Sequence, residues 1–423
     1  MSKRLNVLFV HNSWPNQFSL LHKYFRGAKL VNSYFLTTES DRRAYQFQAT
    51  FPDQVFSYAP DGEVGQNSYY YSGPAESNAR HAINVLNACK AIVTSRAIDV
   101  VVAHGILGAP YMLFDELDCA IVAYVEFPSF RQHGWDPQYP PHDGQRLCDK
   151  FEEMLNYFAA IKADAVVTPS LYAKSMFPAS LQPKVHVQME GFDPQALSIR
   201  DEAQAAFRKQ PGLTYVGFSA RTMTSEKGLE HFVRVSRRLS QLNPNVRFVL
   251  IGAEKGGSYG FENLFLEKLQ PPASLKEHLF AKYAVDESLY ISTGPLDGVA
   301  FWSTLHAVDF FLYPLQYGSA NWGFYELLLR GKIIVAVNRC FMPEVIVPGE
   351  NGFLVDNDDI EGCARLCDQI ARNLENYAHI GRAAATTGER FHIVNAARDY
   401  ARLLRGVVRK RNDRRSQSAE SPS

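Results

Sequence analysis

YVGFSARTMTSEKGLEHFVRVSRRLSQLNPNVRFVLIG, residues 215–252, passes from one hydrophobic periodicity to another and back. Residues 213–219 are apolar enough for a buried strand, and 221–228 form a polar turn. From 229 to 242 the residues Leu229, Phe232, Val233, Ser236 and Leu239 recur at the spacing of a helix lying on a sheet. A second strand at 246–251 completes a βαβ unit. The turn after its first strand falls at the carboxyl edge of the sheet, beside a helix N-terminus whose free N–H groups and dipole favour an anion. Arg221 and Lys227 bring two cations to that edge, so a diphosphate would suit the place. Basic residues in a surface turn are more often simply solvated, and this turn alone does not decide between the two.

A second element shifts the balance. Residues 318–331 read GSANWGFYELLLRG after an expected strand at 310–313, which puts one carboxylate, Glu326, just inside the next helix. Cations for phosphates and a carboxylate for ribose hydroxyls, at two edges of one sheet, make a nucleotide site. No GxGxxG occurs, and the Gly-rich stretch 254–261 does not supply one, so a dehydrogenase with two dinucleotide domains is a distant reading.

R-x5-KG after a strand, then a Glu on a helix ending in Gly, then PEVIVPGENGFLV at 343–355, resembles the nucleotide-sugar half of retaining glycosyltransferases of family 4. LNVLFVHNSWPNQF (5–18), VVAHGILG (101–108), YVEFPSFRQHGWDPQYPP (124–141) and MEGFDP (189–194) look like a subgroup of that family. The resemblance implies an α/β chain of the GT-B type, two Rossmann-like parallel-sheet domains facing a central cleft. It implies transfer of a sugar from a nucleoside diphosphate to an acceptor hydroxyl, in glycan, glycolipid or surface polysaccharide synthesis. The nucleotide sugar is then a co-substrate, and no cofactor is expected.

On the same resemblance Arg221 and Lys227 stabilise the leaving diphosphate. Glu326 holds the ribose, and Gly318, Ser319, Asn321, Trp322 and Gly323 line the donor. His104, delivered by the expected strand at 98–103, would touch the hydroxymethyl region of the donor sugar; taken alone, a histidine ending a strand serves equally well as a loop hydrogen-bonder. With two side-chain cations present and no DxD in a suitable loop, a metal is not expected. Relatives outside the subgroup carry a second carboxylate eight positions before Glu326, where this chain has Gly318; its work on the sugar would pass to backbone groups of 318–322 or to Asn321. Asn16 stands where related sequences often have Gly, which restricts the backbone of the first loop. Asn16, Glu126 and Arg131 are acceptor-side candidates, with ordinary loop packing the stronger reading for the last two.

The organisation expected is a first domain over 1–193, a second over 194–408 whose last helix returns to the first, and a disordered basic and polar tail over 409–423. With 423 residues the chain has ample material for two cores. Lys and Arg number 44, as do Asp and Glu, so no global field selects nucleic acid. The tail could touch anionic lipid weakly, at about 1 kcal/mol per charge, though a solvated end is favoured.

The six cysteines include no CxxC pair, and Cys363 and Cys367 read as core thiols, which suits a reducing, cytoplasmic setting, at most peripheral to the inner membrane face. No apolar run approaches the roughly 20 residues of a membrane span, and the first ten residues lack a signal-peptide pattern. The aromatic stretch 47–72 reads as a long irregular connection rather than an acceptor loop. Two competing readings remain within the same fold: a non-catalytic glycan- or nucleotide-binding protein, and a nucleotide-sugar epimerase.

Overall fold

The structure, a computed structural model, describes residues 4–14, 16–39, 53–59, 72–129, 134–255 and 261–420. The chain divides into two compact units, one of Met1–Gln132, His142–Phe192 and His392–Ser423, the other of His133–Pro141 and Asp193–Phe391. Both are Rossmann-like, each with helices on a parallel sheet.

In the first unit seven strands, β1 (Asn6–Val10), β2 (Asn32–Thr38), β3 (Val55–Tyr58), β4 (Val100–His104), β5 (Ala120–Tyr124), β6 (Ala165–Thr168) and β7 (Val185–Val187), lie in the order β3-β2-β1-β4-β5-β6-β7, all neighbours parallel. A strand such as β1, apolar from Val7 to Val10, needs cover on both faces. Val7 and Phe9 pack with α1 (Ser19–Ala28) and the C-terminal helix Ile393–Glu420, while Leu8 and Val10 pack with α2 (Gly73–Arg96). Farther along that second face, α3 (Asp143–Lys162) covers β5 and β6 through Ala159 and Ala160. Leaving β1 the chain builds outward to β2, and then returns to place β4 on the other side. The order therefore reverses between β1 and β4, where a crevice opens beyond the strand ends in this class of sheet.

The C-terminal helix departs from expectation, since 409–420 is helical rather than disordered. Its apolar side, Tyr400, Ala401, Leu404 and Val407, is buried in the first unit's core. Beyond that contact Arg411 pairs with Asp164 at 2.7 Å and Arg415 with Asp118, so the polar end is tied to the same unit. A basic composition signals disorder only when nothing lies opposite to neutralise it. β3 is not anticipated by the sequence either: a run of four residues carries little periodic signal.

The second unit's strands, β8 (Thr214–Thr222), β9 (Val246–Ala253), β10 (Tyr290–Gly294), β11 (Phe310–Tyr313), β12 (Ile333–Val337) and β13 (Phe353–Val355), take the order β10-β9-β8-β11-β12-β13, again all parallel. Its reversal lies between β8 and β11. The helix α4 (Leu229–Leu242) buries the five residues that its periodicity singled out, and α5 (Trp322–Leu329) follows β11. Cys363 and Cys367 are free, buried thiols on Ile360–Arg372, the helix packed beside α4.

Residues 133–141, expected with the first domain, belong to the second unit. Tyr139 enters its core, and Gln138 is held between Glu230 at 2.7 Å and Lys282 at 2.9 Å. The proline-rich run thus crosses to where its aromatic ring finds apolar partners. Among the described residues no helix is long and apolar enough to cross a membrane.

Candidate functional site

The βαβ turn of the second unit is built by a close approach between two chain segments. β8 runs three residues farther than the hydrophobic pattern predicts, with a register shift between Ser219 and Thr222, so Arg221 is an exposed strand-end residue rather than part of the turn. Residues 223–228 then bend into α4. Gly228 has φ +79°, and a Cβ there would lie 1.9 Å from the carbonyl oxygen of Pro314. The exits of β8 and β11 meet at that glycine, which only a residue without a side chain permits. Gln316 fastens the two segments, its N–H donating to the carbonyl of Glu226 at 2.8 Å and its Nε2 to Asn357 Oδ1 at 2.8 Å. From the other side Glu262, almost wholly buried, accepts from the Ser225 N–H at 3.1 Å and the Ser225 hydroxyl at 2.8 Å.

Lys227 lies at the switch point, in a small crevice that it lines with Phe218, Ser219, Tyr313, Pro314 and Leu315. Its Nζ is 2.9 Å from the Glu226 carboxylate and its side chain is 23% exposed, so the ammonium is screened but reachable. An incoming phosphate would compete with Glu226 for it.

Glu326, in the second turn of α5, also neighbours Tyr313. Burial pushes its carboxyl up to about 7, with Arg330 opposing the shift. The Tyr313 hydroxyl is in turn pushed well up, by burial and then by Glu326. Arg330 does not neutralise Glu326 at close range: its guanidinium donates to the carbonyls of Leu197, Ile199 and Trp302 at 2.8, 2.5 and 3.0 Å. A buried carboxyl whose proton is lost near neutrality is suited to accepting hydroxyl donors, which would satisfy its charge.

The glycine-rich approach to α5 has its own logic. Asn321 caps the helix, Oδ1 accepting from the Gly323 N–H at 3.1 Å. Ser319 is buried, whereas Trp322 is 45% exposed on the first turn. Gly318 has φ +157°, a backbone conformation that residues with a side chain rarely adopt. These five donor candidates thus form one capped loop on the same edge as Lys227.

In the first unit the structure brings together two histidines, of which the sequence reading singled out one. His104 ends β4 and His11 follows β1, and the register that pairs Val10 with Ala103 puts their rings 5.3 Å apart, edge to face. His104 Nδ1 accepts from the N–H groups of Ile106 at 3.3 Å and Leu107 at 3.1 Å, which leaves its proton on Nε2. Burial lowers its pKa to about 4, so it is a neutral donor. His11 was legible only as the match of His104 one strand over.

Asn16 builds the entry to α1, with Oδ1 accepting from the Phe18 N–H at 2.8 Å and Nδ2 donating to the Ser13 carbonyl. Its side chain is spent on local geometry. Glu126 accepts from Gln17 Nε2 at 2.7 Å, which ties the exit of β5 to that of β1. Arg131 lies outside the described residues, as do Gly256, Gly257, Gly260 and most of the aromatic stretch 47–72. Glu262, Gln316 and Tyr313 were not anticipated; the first two reach the turn from 37 and 90 residues away, a distance over which one sequence gives no signal. Among the described residues no three His, Cys, Asp or Glu side chains are grouped to hold a metal ion.

Two family models match the chain. Residues 31–197 match the one described as glycosyl transferase family 4 group, and 200–387 the one described as glycosyl transferases group 1. No curated protein matches it in sequence. Among solved structures, sucrose-phosphate synthase from Thermosynechococcus elongatus is similar with TM-score 0.72 at 15% identity, over 96% of this chain and 99% of that one. HepE of Anabaena in complex with UDP gives 0.64 at 15% identity, over 96% and 100%. A UDP-N-acetylglucosamine 2-epimerase from Listeria monocytogenes, putative in its own description, gives 0.55 at 12%, over 94% of both chains. At such identities these likenesses speak to the fold, two Rossmann-like parallel-sheet domains.

Proposed function

We propose, on the premise that this chain belongs to the group 1, family 4 glycosyltransferases, that it moves a sugar from a nucleoside diphosphate onto an acceptor hydroxyl with retention at the anomeric carbon. The observation that carries the reading is that Lys227 and Glu326 both neighbour Tyr313, at the switch point of the second sheet. The diphosphate takes the crevice edge at Lys227, beside the N-terminus of α4, with Arg221 at the strand end meeting its outer oxygens. Breaking the glycosidic bond develops charge on the diphosphate, and a cation already in place stabilises that charge without reorganisation. Glu326 accepts the ribose hydroxyls, and the 318–323 loop presents backbone groups to the sugar. His104 offers its Nε2–H to a sugar hydroxyl. With side-chain cations doing the electrostatic work, turnover survives a chelator. HepE, which shares the fold, is solved with UDP and with UDP-glucose, which supports a nucleotide sugar as the donor class here.

The test is incubation of the pure protein with a panel of nucleoside diphosphate sugars and hydroxyl acceptors, with and without EDTA, and the anomeric configuration of the product read by NMR. Transfer with retained configuration is expected. Interconversion of the donors without acceptor would give the epimerase reading instead, and binding without turnover the non-catalytic one.

The Glu326 carboxyl makes a pH prediction. Its folded pKa, about 7, is above the ordinary 4.5, so between those values the native state holds a proton that the unfolded chain has released. The stabilisation from the neutral form is therefore complete below pH 4.5 and is lost as pH rises through 7. Nucleotide-sugar binding runs the other way, since the ionised form is the better acceptor. Calorimetric affinity for the donor should rise between pH 6 and 8, and Glu326→Gln should lower it by roughly tenfold or more, because hydrogen bonds to charged groups contribute about 1.5–3 kcal/mol. A Gln variant with wild-type affinity and an unchanged pH profile would remove Glu326 from the site.

A further inference from the structure

The net charge of zero conceals an uneven distribution in the first unit. On the C-terminal helix Arg398, Arg402, Arg405, Arg409, Lys410 and Arg414 are all exposed, six cations against two acids over the same span, Asp413 and Asp399, the latter paired with Arg402 at 2.7 Å. Arg398, Arg402, Arg405 and Arg409 follow one another at steps of four, three and four, a single row along the helix. The neighbouring α1 contributes Lys23, Arg26 and Lys29 and has no acid at all. Opposite, α2 and α3 together carry six cations and five acids, with pairs such as Lys90 with Glu116 at 2.6 Å, Lys162 with Asp115 at 2.9 Å, and Lys150 with Glu153 at 2.5 Å. One face of the sheet thus carries a strong positive field and the other does not.

The arginine row is also held rigid. Tyr400, Ala401 and Leu404 beneath it are fully buried, and Arg405 donates to the Leu30 carbonyl of the segment after α1 at 3.0 Å. Two shallow basins flank the row, one of about 520 Å³ lined by Leu30, Arg398, Arg405 and Arg409, the other of about 470 Å³ lined by Lys184, His186, Lys410 and Arg414 together with Asp164 and Asp399, whose carboxylates pair with Arg411 and Arg402; both share Arg402. Each is wide enough for a phosphate-bearing headgroup.

We propose that the face made by α1 and the C-terminal helix docks this protein electrostatically on an anionic lipid bilayer, with headgroup phosphates in the two basins. The apolar side of the helix is committed to the sheet, so the helix lies on the surface and does not insert. A planar anionic surface fits a straight row of cations better than single-stranded nucleic acid does, because no aromatic side chain is exposed along the row to stack bases. The same geometry makes the attachment sensitive to salt, since the cations are in water and are screened beyond about 8 Å at physiological ionic strength.

The experiment is flotation of the full-length protein with vesicles of phosphatidylcholine alone or mixed with phosphatidylglycerol, at about 0.05 and about 0.5 M salt. Binding to the anionic vesicles at low salt, its loss at high salt, and none to neutral vesicles are expected. The triple variant Arg398→Glu, Arg405→Glu, Arg409→Glu should bind at least tenfold more weakly, since each cation at such a surface contributes about fivefold. Its thermal unfolding checks that the exposed substitutions leave the fold intact; if they do not, the single Arg409→Gln variant, expected to lose about fivefold, replaces it. Equal binding to neutral and anionic vesicles, or a folded variant that binds like the parent, overturns the proposal. Tighter binding to an oligoribonucleotide than to the anionic vesicles also overturns it and assigns the face to nucleic acid.

Discussion

Replacing Lys227 by alanine is expected to lower kcat by two to four powers of ten, with a much smaller change in KM for the donor. The size follows from what the ammonium does: removing one preorganised charge-stabilising donor typically costs that much, because the charge it meets appears in the transition state. The ground-state diphosphate is already charged, so some affinity goes as well, but the split should favour kcat. Arg221→Ala belongs to the same class, with a smaller loss within it, since Arg221 is exposed and works in a higher dielectric than the crevice around Lys227. Lys227→Arg is an informative companion. A guanidinium keeps the charge but not the reach or point geometry of an ammonium, and only partial recovery is expected. Initial rates over a donor titration decide the matter, and near-normal turnover of both alanine variants would remove the phosphate assignment from this turn.

The largest effect on stability should come from Gly228→Ala. The comparison that isolates its cause is Gly212→Ala, because the two glycines have nearly the same φ, +79° and +77°, and differ in surroundings. Nothing lies within 4 Å of a Cβ at Gly212, whereas at Gly228 the Pro314 carbonyl oxygen is at 1.9 Å. Gly212→Ala should therefore cost only the left-handed backbone penalty, roughly 1–2 kcal/mol. Gly228→Ala must also push the exits of β8 and β11 apart, against the bond from Gln316 to Glu226, and should cost upwards of about 4 kcal/mol or prevent folding. Urea unfolding of both variants measures the difference. Equal midpoints would mean that the approach of the two segments is not a constraint on the fold.

How much of this was legible beforehand differs from element to element. α4 is legible to its last residue because four apolar side chains and Ser236 at helical spacing leave few alternatives. The sequence places 133–141 with the first domain and the contacts of the folded chain place it with the second unit, since proline content reveals rigidity but not which core receives Tyr139. The tail reads as disordered because Arg411 and Arg415 give no sign of Asp164 and Asp118, hundreds of residues earlier in the chain.

By itself the sequence determined the local elements and the inventory of the site: strands buried on both faces, a turn bearing Lys227, a helix bearing Glu326, a histidine ending β4. These follow from interactions that reach a few residues along the chain, where periodicity and turn chemistry are written directly. Only the tertiary structure decided what those residues are chemically. It buried Glu326 enough to move its proton toward neutrality, fixed the tautomer of His104 through two backbone donors, brought His11 against it, and braced the 223–228 turn with Glu262 and Gln316. Burial and hydrogen bonding depend on segments that are neighbours in space and distant in sequence, and that is the information a single chain read in order does not carry.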